Sequence, residues 1–123
     1  MRKRILGLCL ALATFAAAAA GTENKWRLEF SGNAESTGQI VLELSPSVGE
    51  PIRATADIPQ GLGENDVAKA VNDALLAAAS GEYNIEVDDG EDVLVKKHDG
   101  ERNFIVTIVR NSVQGVKIGV DAE

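Results

Sequence analysis

Apolar and polar residues alternate from Lys25 to Ser31, with Trp26, Leu28 and Phe30 on one side and Arg27 and Glu29 on the other. A period of two marks a half-buried strand. Ser31 to Gly38 is rich in turn formers, and Ile40, Leu42 and Leu44 then alternate with Val41 and Glu43 in a second strand. The two are expected to pair as a hairpin. After a further connection, Ser45 to Pro51, a third strand carries Ile52, Ala54, Ala56 and Ile58 on one face, and Pro59 ends it.

The pattern then changes period. Val67, Ala70, Val71, Ala74, Leu75 and Ala78 form one continuous stripe on a helix, with Lys69, Asn72 and Asp73 off it. Glu64 and Asp66 suit the positive end of the helix dipole. Gly63 or Asn65 is the expected cap and Gly81 the expected stop. Beyond Gly81 the chain reads as a meander: Tyr83, Ile85 and Val87, then Val93 and Val95, then Phe104 to Val109, then Val116, Ile118 and Val120. Asp89-Gly90 and Asp99-Gly100 are hairpin signals, because glycine tolerates positive φ. Phe104 to Val109 is apolar on both faces, which predicts a central strand or one covered on both sides.

The predicted fold is α+β: a mainly antiparallel sheet of about seven strands, in the order βββ-α-ββββ, with one amphipathic helix packed on one face. A curled sheet would turn its uncovered face into a small barrel or a second layer. No repeat of solenoid length and no dividing linker interrupts the chain.

The first twenty residues stand outside this pattern. Arg2, Lys3 and Arg4 precede an uncharged run, Ile5 to Ala20, that ends in small residues. This is the form of a cleaved secretory signal peptide of bacterial type, so residues 1–20 are expected to be removed, and 21–123 to form a single small domain in the periplasm or medium. The run falls short of the roughly 20 strongly apolar residues of a membrane span. Cys9, the one cysteine, follows Leu8 and lacks the small neighbour that lipidation needs. Cleavage would remove it, leaving no disulfide, thiolate or cysteine zinc site.

The formal charge is −7, and becomes roughly −10 once the basic leader is gone. Such a balance argues against nucleic acid, whose phosphates call for clustered Lys and Arg. Glu86, Asp88, Asp89, Glu91 and Asp92 form the densest acidic group, wrapped round Gly90. They are read as a solvated hairpin tip, with docking of a basic partner and Ca²⁺ binding as the functional alternatives. The candidate metal ligands are Asp88, Asp89, Glu91 and Asp92; Glu86 joins them as a partner-binding candidate. The alternate acids of a helix–loop–helix calcium site are not met, since Ile85 and Val87 occupy two of those positions.

Gly61-Leu62-Gly63 precedes the helix but lacks the third small residue of a phosphate loop, with Asp at position 66. His98, the single histidine, has no nucleophile beside it, and no serine stands in a G-x-S-x-G context. Trp26 shares a face with Leu28 and Phe30 and is read as core, which leaves few aromatic residues to furnish a sugar cleft. The stretch Gly38 to Val95 resembles, in its order of strand, strand, helix and strand, modules of phage tail-sheath and some bacterial surface proteins. The likeness rests on packing residues such as Ile40, Leu42, Val67, Ala68, Ala70 and Val71, and carries no functional residue across.

The expectation is an exported, non-enzymatic acidic module that binds a macromolecular partner or serves in an envelope assembly, such as an inhibitor of a basic protein. The alternative is a Ca²⁺-binding protein using the acidic hairpin, and the third reading a small hydrolase with paired carboxylates.

Overall fold

The alternation and the helical stripe each become an element in the computed structural model, which describes residues 21–123. The segment read as a signal peptide, with Cys9, lies outside the described residues. The elements are β1 (Lys25–Ser31), β2 (Gly38–Pro46), β3 (Ile52–Ile58), α1 (Glu64–Ala79), β4 (Tyr83–Asp88), β5 (Asp92–Lys97), β6 (Phe104–Asn111) and β7 (Lys117–Ala122). Class and chain order are as expected.

The pairing differs. The strands form two antiparallel sheets, β4-β5-β1-β7 and β3-β2-β6, in place of one. β1 and β2 fall in different sheets, so the expected hairpin between them does not form. Their connection is a pinned crossing. Ala34 is buried, its N–H donates to the Leu62 carbonyl (2.8 Å), and its own carbonyl accepts from Gly61 N–H (2.8 Å). Gly32 and Gly115 touch backbone to backbone at this point. Both have positive φ, and a Cβ on Gly32 would overlap the Gly115 carbonyl oxygen.

The meander is corrected in the same way. β4 and β5 do form a hairpin, and Asp89 and Gly90 in its turn both take positive φ, 51° and 78°. Asp99-Gly100 turns the chain from one sheet to the other and pairs no strands. β6 is an edge strand and not a central one: Phe104 and Val106 point into the core, while Val109 is 42% exposed. Its second apolar face meets solvent, a distinction that hydrophobicity alone does not encode.

One core joins both sheets and the helix, built on Trp26, Leu28, Phe30, Ile40, Leu42 and Leu75. Trp26 is buried, as its position on the β1 face implied, and its Nε1–H donates to the Phe104 carbonyl (2.8 Å). Glu23 and Phe104 exchange two backbone hydrogen bonds of 2.9 Å, tying the approach to β1 to the start of β6. The Phe104 ring meets Tyr83 edge to face, with centroids 4.7 Å apart, a favoured aromatic geometry.

α1 packs against β3 and β4, the outer strands of the two sheets on one side, and so closes that side. Its cap is Gly63, with Glu64 and Asp66 in the first turn, and it ends at Ser80, one residue before Gly81. The buried face is Val67, Ala68, Val71, Asn72, Leu75 and Ala79. The predicted stripe is therefore turned slightly: Ala78 is exposed and Asn72 points inward. Alanines surround the helix, so their positions alone could not fix its rotation. Among the described residues no helix is long and apolar enough to cross a membrane.

Candidate functional site

The outward side chains of β1 organise the polar chemistry. Register places Arg27 opposite Leu94 of β5 and Asp121 of β7, and Glu29 opposite Asp92 and Gly119. Asp88 is paired with Asp92 in the β4–β5 hairpin. Alternation then puts Arg27, Glu29, Asp88 and Asp92 on one face, the face turned away from the core.

Arg27 is the hub. Its Nη1 donates to Asp88 Oδ2 (3.1 Å) and to Asp92 Oδ2, and its Nε donates to Glu123 Oε2 (3.1 Å). These carboxylates raise the guanidinium pKa above its already high value, the hydrogen bond donated to Glu123 contributing most and that donated to Asp92 next. The acidic hairpin is thus only in part the solvated tip that its composition suggested. Asp92 is 4% exposed and Asp88 half-buried, and a Cβ on Gly90 would meet the Asn65 side chain at the start of α1. Asp89 and Glu86 are the exposed members, and Glu91 is half-buried.

Arg27 engages one side of the cluster only. Asp92 Oδ1 is buried and has no hydrogen-bond partner among the described residues. Two overlapping sets of three carboxylates lie close: Asp88, Asp89 and Asp92, and Glu29, Glu91 and Asp92, the oxygens within each set being within 4.8 Å of one another. Glu29, Glu91 and Glu64 also line a cavity of about 420 Å³ whose rim includes Lys117. Arg27, Glu29, Glu64 and Glu123 were missed in the sequence because they lie in three segments, apart from the hairpin, that only the sheet register and the helix start bring together. The one available signal was that Arg27 and Glu29 are the polar positions of the most regular strand.

The remaining candidates are occupied structurally. His98 is half-buried, and its Nε2 meets Asn84 Oδ1 at 3.1 Å. Ser112 Oγ accepts from Gln39 N–H (2.8 Å), fastening the end of β6 to β2. Gly61 and Gly63 serve the turn into α1, where Glu64 Oε1 accepts from Gly32 N–H (3.3 Å). A second cavity, of about 410 Å³, lies where Tyr83 and Leu94 meet Lys25, Lys96 and Glu86. Burial raises the Tyr83 hydroxyl pKa above its ordinary value, and the charges of Glu82 and Glu101 add to the effect.

No protein-family model matches this chain, and no curated protein sequence matches it.

Proposed function

We propose that the protein is an exported, non-enzymatic module that binds a macromolecular partner, and that it seats an extended segment of that partner along β6 and β7. The observation that carries this reading is the unequal treatment of the four sheet edges. α1 lies against β3 and, more lightly, across β4, β5 and β1, whereas among the described residues β6 and β7 have no helix against them and only Phe104, at the start of β6, is bridged, by Glu23. A bare strand edge presents unpaired N–H and C=O groups and is a template for a further strand. Partly buried aliphatic side chains, Ile105 and Ile108 on β6 and Ile118 and Val120 on β7, border those edges. The surplus negative charge of the chain favours a basic partner and would act mainly on its rate of encounter.

The test is site-specific photo-crosslinking in cells that express the protein. A benzophenone residue at Thr107 or Lys117, on the open side, should give a discrete adduct, and one at Lys69, on the exposed face of α1, should not. Adducts from Lys69 alone, or from none of the three, would overturn the reading. Repeating the capture in 0.5 M salt should lower the yield if charge steers association.

A further inference from the structure

Arg27 neutralises Asp88 and one oxygen of Asp92, but among the described residues no basic side chain forms an ion pair with Glu29 or Glu91. Glu29, Glu91 and Asp92 each offer an oxygen within 4.8 Å of the other two. Calcium–oxygen distances run from about 2.3 to 2.6 Å, so two ligands of one Ca²⁺ ion lie at most roughly 4.6 to 5.2 Å apart. The three acids are therefore already close enough to share one ion.

The second observation is independent of that proximity. Asp92 has a side chain only 6% exposed; its Oδ2 is held by Arg27, and its Oδ1 is buried without a hydrogen-bond partner among the described residues. A buried carboxylate oxygen without a donor is costly, and a cation is one of the few things that can satisfy it. Glu29 and Glu91 open onto the cavity of about 420 Å³, where Glu64 adds a further negative charge. An all-oxygen set selects a hard cation over zinc or copper.

We propose that Glu29, Glu91 and Asp92 bind one Ca²⁺ ion, with water completing its shell. Asp89, a natural candidate on composition, belongs to the set on the Arg27 side and is not a ligand. Lys117, which lines the same cavity, is the competing positive charge. The cavity borders β7 at Lys117, Ile118 and Gly119, but calcium binding by the purified protein needs no partner, so this inference and the partner reading are tested by separate readouts.

Calorimetric titration and thermal melts of the purified protein in CaCl₂, against NaCl of equal ionic strength, test it. One ion should bind per chain with a Kd on the order of 10⁻⁴ to 10⁻³ M, the range of low-affinity calcium modules. Tenfold excess over Kd should raise Tm by roughly 5 °C, because the unfolded chain assembles no site. E29Q and E91Q, which leave the contacts of Arg27 intact, should each weaken binding by about tenfold or more. D89N should leave it unchanged, and K117Q should tighten it. Absence of saturable calcium heat, an equal Tm rise in NaCl, or loss of binding in D89N with retention in E29Q would each overturn the proposal.

Discussion

The two sides of this molecule solve the same problem differently. Where β3 and β4 end their sheets, a 16-residue helix lies against both and buries Val67, Val71 and Leu75. Where β6 and β7 end theirs, no helix among the described residues lies against the strands, and the hydrogen bonds that link the sheets gather at the extremities. At one end Phe104 takes the hydrogen bonds of Trp26 and Glu23; at the other, Gly32 and Gly115 cross. Both sides share the apolar core; the first adds the buried face of a helix to it, and the second adds a few hydrogen-bonded clamps. A side held at its ends and bare between them keeps its backbone available without giving up the core.

The contrast predicts an order of mutational effects. G115A should be the most damaging, by about 4 kcal/mol, because the position has positive φ and a Cβ there would overlap the Asn33 carbonyl. Urea denaturation measures it, and a loss below about 1 kcal/mol would mean that the crossing is not a clamp. On the helix side, L75A removes a side chain that is 1% exposed and should cost about 3 kcal/mol. N72L should have the opposite sign. Asn72 Oδ1 is buried without a partner, and an apolar side chain of similar size should raise stability by about 1 kcal/mol. V109T, on the open side, should change stability by no more than about 0.5 kcal/mol, since Val109 is already 42% exposed.

pH offers a probe of the helix side that needs no loss of packing. The Tyr83 hydroxyl is held neutral by its burial, so its folded pKa lies above the unfolded value of about 10. Its contribution is fully present below that pH and is lost as pH rises through the folded value. Stability should fall from about pH 10 upward, and the slope in Y83F should be smaller. An unchanged slope would place the alkaline sensitivity elsewhere.

Much of this architecture was legible in the chain, and what was not has one cause. Strand alternation and the helical stripe are local, so all seven strands and α1 stand where their residues put them. Pairing is not local. Nothing in Ser31 to Gly38 announces that Ala34 will be buried against Leu62 and carry the chain to another sheet. β6 reads as central because Ile105 and Val109 are apolar, and only topology makes them an edge. The candidate site follows the same division. Asp88, Asp89, Glu91 and Asp92 are neighbours in sequence and were legible, whereas Arg27, Glu29 and Glu64 join them through register and helix placement. The missing partner at Asp92 Oδ1 could come only from three dimensions.

The register of β1 has a kinetic consequence. The first strand pairs with β5, through Trp26 and Val95, and with β7, through Trp26 and Ala122, so each of its edges waits for a distant part of the chain. Such long-range pairing slows folding, because loop closure must precede the contacts that reward it. Until β5 and β7 have emerged from the ribosome, Trp26, Leu28 and Phe30 sit on a strand with no sheet to join. That apolar face therefore stays unpaired through most of the chain's synthesis, the condition in which a strand edge is most open to mispairing.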